Sequence, residues 1–260
     1  VKSIRCGRGL GDSVYLQSVA RHLIRRDGQP LRVCSDWPDV FSQLGAMAKV
    51  VPFTRANIDI LAHYATRKRI ANSTQFRDCC VNAGIIEPVE LKLDWPEPTS
   101  PLIDEIKALG RPVVCVQLPR APMGRTDGYG AELLPDCRVI QRLIGKLKER
   151  ATIVQVGAGT PLFKFRGIDF DLANKTTVRE LIDVASIADG FLGYCSFILA
   201  LAESLNKPAI MVWARAGLQS KESYIRQITP QKIIEKTTTR FVIDDCTDEE
   251  IMEALHGFLR

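Results

Sequence analysis

Short apolar runs alternate with segments of helical period along almost the whole of this 260-residue chain. No single motif narrows the fold as much. A brief apolar run closed by turn residues suits a strand buried on both faces, and an amphipathic segment suits a helix covering it. The pattern predicts strands at Ser3–Cys6, Leu31–Ser35, Val50–Phe53, Val113–Leu118, Thr152–Val156, Gly190–Leu192 and Ala209–Trp213. Helices are predicted at Ser13–Arg26, Asp39–Leu44, Ser73–Ala83, Pro101–Leu109, Asp136–Glu149, Val178–Ala188, Phe197–Leu205 and Asp248–Leu259. A βαβα order of this kind builds parallel sheets with helices on both faces. Asp27-Gly28 marks the end of the first helix. Thr177 with Glu180, and Thr247 with Glu250, read as capping boxes.

Pro88, Pro96, Pro98 and Pro101 fall among acidic and polar residues between Glu87 and Pro112. Such a stretch reads as a connection between two α/β halves. The expected organisation is a Rossmann-like domain over 1–97, a linker over 98–111 and a second Rossmann-like domain over 112–260. The last helix is free to pack back on the first domain.

Composition removes several classes. With 46% hydrophobic and 25% charged residues the chain is ordinary for a globular protein. No apolar run is long enough to span a bilayer and no signal peptide is visible, so no integral membrane segment is expected. The eight cysteines include no CxxC pair and only three histidines accompany them, which argues against a zinc site. Cysteines in apolar runs serve as small hydrophobes, and a reducing, cytoplasmic setting is expected. The net charge of +5 suits an anionic ligand such as a nucleotide. Arg21, Arg25-Arg26 and Arg67-Lys68-Arg69 fit solvated helix faces before they fit a nucleic-acid surface.

Four segments carry residues suited to chemistry. Cys6-Gly7-Arg8-Gly9-Leu10-Gly11-Asp12-Ser13 joins the first strand to the first helix. A helix N-terminus there presents backbone N–H groups, and Asp12 is the only carboxylate. The glycines would let a substrate approach the backbone. Their spacing matches neither a dinucleotide fingerprint nor a P-loop. As a pattern alone the turn also fits a plain strand-to-helix junction with Asp12 or Ser13 as N-cap. The second segment, 116–130, carries Arg120 and Arg125 among glycines and prolines at a strand's carboxyl end, where an arginine can grip a phosphate. The third runs from Ile153 into Gly157-Ala158-Gly159, small residues that allow close approach. The fourth, 176–213, passes through a capped helix and a strand into the turn Gly193-Tyr194-Cys195-Ser196 and a further helix. Its N–H groups and the Ser196 hydroxyl suit a diphosphate, and Glu203 lies about two turns further on.

The fourth segment resembles the nucleotide-binding half of GT-B glycosyltransferases, and is most similar to glycosyltransferase family 9, the ADP-heptose:lipopolysaccharide heptosyltransferase type. The resemblance rests on Thr176-Thr177, Ala188-Asp189, the turn Cys195-Ser196-Phe197, and Ser204-Leu205-Asn206-Lys207-Pro208. Cys195 stands where the family has Asp, Phe197 where it has Gly, and Ala200 where it often has His. Gly11-Asp12 matches the family's opening turn, whose Asp is the proposed base. The resemblance implies an α/β fold of two Rossmann-like domains with parallel sheets facing a central cleft. It further implies transfer of a sugar from a nucleotide-sugar donor to an acceptor hydroxyl, with Asp12 as general base. Arg8, Gly11, Arg120, Arg125, Gly157, Ser196, Phe197 and Glu203 would bind the donor. Basic residues and helix amides would replace a metal, and no cofactor is expected. Asp169 and Asp171 have the spacing of a metal-binding pair, but lie where the family has a strand. The acceptor is open: a glycan, a lipid-linked glycan, or a hydroxymethyl-pyrimidine in DNA with Arg67-Lys68-Arg69 tracking phosphates. A non-catalytic nucleotide-binding protein on the same fold fits the same residues.

Overall fold

The computed structural model describes residues 1–54, 56–64, 73–119, 135–194, 196–213, 239–243 and 245–259. The chain forms two compact units. One comprises Val1–Pro96 with Glu203–Leu205; the other contains Glu97–Ala202 and the described chain from Asn206 onward.

The first unit begins β1 (Lys2–Arg5), α1 (Leu10–Asp27) and β2 (Leu31–Cys34). A 3-10 helix (Pro38–Met47), β3 (Ala48–Val51), β4 (Ile60–Leu61) and α2 (Gln75–Asn82) follow. Its sheet is parallel, in the order β3-β2-β1-β4. Gly28 closes α1 in the left-handed region at φ 64°, which a residue without Cβ enters freely. The predicted helix over Asp39–Leu44 is a 3-10 segment instead, with a non-helical Gly45 (φ 54°, ψ −141°). The predicted strand at Val50–Phe53 begins two residues earlier. Three buried polar side chains of α1 have work in the packing. Gln17 donates to the carbonyls of Val40 (2.7 Å) and Asp94 (2.8 Å) and accepts from Asp94 N–H (2.9 Å). Ser18 donates to the Lys92 carbonyl at 3.0 Å. Ser13 shares a 2.8 Å hydroxyl contact with Ser35. These bonds tie down residues 92–94 while Leu91 and Leu93 are buried.

The second unit contains α3 (Pro101–Lys107), β5 (Val113–Gln117), α4 (Cys137–Leu147), β6 (Thr152–Val156) and β7 (Phe170–Asp171). Then come α5 (Val178–Ile187), β8 (Gly190–Gly193), α6 (Phe197–Ser204), β9 (Ala209–Trp213), β10 (Thr239–Ile243) and α7 (Asp248–Leu255). The six strands are parallel in the order β10-β9-β8-β5-β6-β7. All of β5, β6 and β8 is buried, as expected for strands covered on both faces. α4 buries Val139, Ile140, Leu143, Ile144 and Leu147 along one stripe. Both capping boxes are present, at Thr177/Glu180 and Thr247/Glu250.

The predicted helix at Pro101–Leu109 is present as α3, over Pro101–Lys107. The strands β4 and β10 have no counterpart in the sequence-based assignment, whereas β7 overlaps the strand that the resemblance places around Asp171. From the last helix and its end, Ile251, Ala254, Leu255 and Phe258 join the core of the second unit. A Cβ on Gly190 would lie 2.7 Å from the Phe258 ring, so the glycine at the start of β8 makes that packing possible.

Candidate functional site

In each unit the chain steps outward from one strand and later returns to that strand's other side. In the first unit the reversal lies between β1 and β4, and in the second between β5 and β8. Ligands of open α/β sheets bind beyond the carboxyl ends of strands at such switch points.

At the first switch point β1 leads through Cys6-Gly7-Arg8-Gly9 into α1. The helix starts at Leu10, ahead of the predicted Ser13, and its N-cap residue is Gly9, with Asp12 as the capping-box partner three positions on. Asp12 is the third helical residue. Its Oδ2 reaches back and accepts the Gly9 N–H at 3.0 Å. That bond satisfies one of the helix's open donors and sets the carboxylate at the positive end of α1. A Cβ on Gly7 would overlap this carboxylate, and one on Gly9 would lie 3.0 Å from Oδ2. The expectation that these glycines admit a substrate is therefore corrected: they make room for Asp12 itself. Gly11 is the second residue of α1.

β4 supplies the other side. Its ladder with β1 continues as Ala62 N–H donates to the Arg5 carbonyl at 2.9 Å. His63 and Tyr64 follow at once, and Asn82 at the end of α2 donates to the His63 carbonyl at 2.7 Å. The Tyr64 hydroxyl donates to the Asp12 carboxylate. The His63 and Tyr64 rings stack, with centroids 4.5 Å apart and planes 27° from parallel. Burial pushes the Asp12 carboxyl above its ordinary value, against the opposing effects of His63, the Gly9 N–H and Tyr64. Burial lowers His63, while the Asp12 charge works to raise it. The Cys6 thiol lies 4.0 Å from Asp12 Oδ1 and 3.8 Å from Cys79 Sγ. Burial, then Cys79, hold it well above the usual thiol range, so it stays protonated at neutral pH. His63 and Tyr64 escaped the sequence reading. The apolar pair Ile60-Leu61 ahead of them was the available signal.

The Arg8 side chain is 77% exposed and pairs with Asp36 at 2.6 Å, while Trp37 Nε1 donates to the Arg8 carbonyl at 2.8 Å.

At the second switch point β5 ends in Gln117, β6 runs into Gly157 and β8 ends in Gly193. Gly157 and Gly159 take φ values of 122° and 124°, which side-chain-bearing residues avoid. Asn174 clamps this loop: its Oδ1 accepts the Gly159 N–H at 2.7 Å, and its Nδ2 donates to the Gly159 carbonyl at 3.0 Å. Gln117 packs so closely on Gly193 that a Cβ there would lie 3.0 Å from both its Cβ and its Oε1. Ser196 and Phe197, both half-buried, open α6. The Oγ of Ser196 and the Oε1 of Gln117 are enclosed and have no hydrogen-bond partner among the described residues. Enclosed polar atoms without partners are uncommon, and a ligand is one way of satisfying them.

Glu203 is only 1% exposed, and its contacts group it with the first unit. It lies about two turns into α6 from Ser196, as the spacing predicts. Arg120, Arg125, Cys195 and Arg67-Lys68-Arg69 lie outside the described residues. Asp169 accepts the Ile153 N–H at 2.8 Å and pairs with Arg111 at 3.3 Å. Asp171 accepts from Gln155 and from the Ala173 N–H, each at 3.2 Å.

Two parallel α/β units define a GT-B fold, and solved structures agree. The chain is similar to a glycosyltransferase family 9 protein from Veillonella parvula, with TM-score 0.69 and 8% identity over 99% of this chain and 97% of that one. It is similar to the ADP-heptose lipopolysaccharide heptosyltransferase II of E. coli, with TM-score 0.61 and 14% identity over 100% and 98%. It is also similar to a Listeria monocytogenes protein assigned as a UDP-N-acetylglucosamine 2-epimerase, with TM-score 0.52 and 10% identity over 98% and 87%. At these identities the likeness is one of fold. No family model matches the sequence, nor does any curated protein. Among the described residues, no helix is long and apolar enough to cross a membrane.

Proposed function

We propose that this chain is a glycosyltransferase that moves a sugar from a nucleotide-sugar donor to an acceptor hydroxyl, with Asp12 as general base. The observation that carries the proposal is the setting of Asp12: a carboxylate held at a sheet's switch point, with burial raising its proton affinity. A base for a hydroxyl needs that tuning. The donor is assigned to the second unit, where the α6 N-terminus and the Ser196 hydroxyl meet the demands of a leaving diphosphate. Gly157, Phe197, Arg120 and Arg125 are proposed to complete that site. Two of the similar proteins, a transferase and an epimerase, bear the names of different nucleotide sugars, which favours this ligand class over any one reaction. Transfer is proposed to proceed without a metal, because Asp169 and Asp171 hold β7 and its loop and are not an open carboxylate pair.

A thermal-shift series with ADP-, UDP- and GDP-sugars tests the donor. A ligand at a hundred times its Kd stabilises the folded chain by about 2.7 kcal/mol. One nucleotide should raise the melting temperature, and Asp12→Ala should keep that shift while losing release of the nucleoside diphosphate. A melting temperature unmoved by every nucleotide sugar would sink the reading. Normal release from Asp12→Ala would remove Asp12 as the base.

A further inference from the structure

A base that takes a proton from an acceptor must lose it before the next turnover. The end of β4 brings to Asp12 the two side chains through which this can happen. We propose that His63 receives the acceptor's proton from Asp12 and that Tyr64 holds the carboxylate in the orientation that passes it on, an inference that rests on the transferase reading above. Both are positioning residues, acting through Asp12.

The placement follows from the sheet. Pairing of Ile60 with Ile4 and of Leu61 with Arg5 sets β4 beside β1, so the residues after Leu61 emerge beside the turn after Arg5. The ladder bond from Ala62 and the Asn82 bond to the His63 carbonyl fix the backbone there. The ring stack with Tyr64 fixes the imidazole plane, and the Tyr64 hydroxyl engages Asp12. Among the described residues, further groups face this cluster. α1 presents the Gly9 N–H, and the end of β1 presents the Cys6 thiol. Cys6 in turn faces Cys79 of α2, and Arg5 is the cation that acts on His63. The thiol stays protonated, which leaves His63 as the proton acceptor in this group.

The step balances without a further reagent. The acceptor O–H bond breaks and its proton goes to Asp12. The acceptor oxygen bonds the sugar's anomeric carbon as the bond to the diphosphate breaks, its electron pair leaving with the nucleoside diphosphate. Neutral His63 then takes the proton from Asp12, giving an imidazolium beside a carboxylate, and releases it to water. Burial moves the carboxyl up from its ordinary 3.8 and the imidazole down from 6.5. The first shift makes the carboxylate a stronger base toward the acceptor hydroxyl and the second makes the imidazolium a readier donor to water, while both narrow the drive for the transfer from Asp12 to His63.

The test is a titration of the whole chain followed by NMR, read without substrate. In protein labelled at histidine, the His63 signal is identified by its loss in His63→Gln. Asp12→Asn should lower the His63 midpoint by about one unit, the usual scale for losing a facing carboxylate. In protein labelled at aspartate, His63→Gln should raise the Asp12 midpoint by a similar amount, because coupling between two sites is reciprocal. Should His63→Gln fail to fold, the His63 signal is assigned by elimination, from the signals lost in His22→Gln and His256→Gln, and the first arm stands alone. Midpoints that stay in place overturn the relay and leave the transferase reading intact. Moved midpoints combined with normal turnover in Asp12→Asn overturn the base assignment, and the relay with it.

Discussion

The carboxylate of Asp12 fills the space that a side chain on Gly7 would need. A glycine-rich turn that looks built for a ligand is thus built first for its own base. The backbone of 7–9 wraps the carboxylate, the Gly9 N–H holds Oδ2 at 3.0 Å, and Tyr64 engages it from β4.

This packing predicts a non-additive pair. Gly7→Ala should destabilise the chain by about 1–3 kcal/mol, the usual cost of forcing a group into filled space. In an Asp12→Ala background the same change should cost much less, since the obstructing carboxylate is gone. Denaturant unfolding of the two single variants and the double variant measures the coupling. Equal costs in both backgrounds would show that Gly7 is needed for another reason.

Asp12→Asn should separate stability from turnover. The amide oxygen can still accept the Gly9 N–H, so the cap survives. Burial raises the folded-state carboxyl above its unfolded value near 4. The ionised form therefore subtracts from stability above the folded-state value, and that cost vanishes as the pH falls below the unfolded one. The variant should melt no lower than the parent at pH 8, with any gain disappearing by about pH 3.5. Turnover should fall by about 10²–10⁴-fold, the range of general-base catalysis. A variant less stable at pH 8 than at pH 4, relative to the parent, contradicts the sign of this shift.

Ser196→Ala should weaken donor binding without harm to the fold. The hydroxyl has no partner among the described residues, so its removal breaks no internal bond. We expect donor affinity to fall by about fivefold to tenfold, equivalent to one hydrogen bond, and stability to change by less than about 0.5 kcal/mol. Calorimetric titration beside a thermal melt distinguishes this from a structural role, in which the melt alone would move.

Thr177→Ala removes a hydroxyl that accepts the Glu180 N–H at 3.2 Å, while Glu180 accepts the Thr177 N–H at 2.8 Å. Loss of such a cap costs about 1 kcal/mol. Thr247→Ala, which breaks the same motif at α7, should cost a similar amount. Urea unfolding checks both, and a cost near zero would mean that tertiary packing alone holds these helix starts.

Much of the fold was legible because its signals are local. Val113–Gln117 and Thr152–Val156 read as buried strands because each residue in them is apolar or tolerated in a packed layer. Thr177-x-x-Glu180 reads as a helix start because its partners are three residues apart. β4 was hard to read because its two apolar residues, Ile60 and Leu61, are too few to show a period. The start of α1 was misplaced because its cap is Gly9, whose side chain offers nothing to recognise, and the carboxylate that replaces the missing acceptor sits inside the helix.

By itself the sequence determined the parallel α/β class, most helix boundaries and the presence of a single acid in the opening turn, all of which depend on residues a few positions apart. The tertiary structure decided what that acid touches. His63 and Tyr64 are more than fifty residues along the chain from Asp12, and only the pairing of β4 with β1 brings them to its carboxylate. Such pairing depends on contacts between distant segments, and residue spacing along the chain does not encode them.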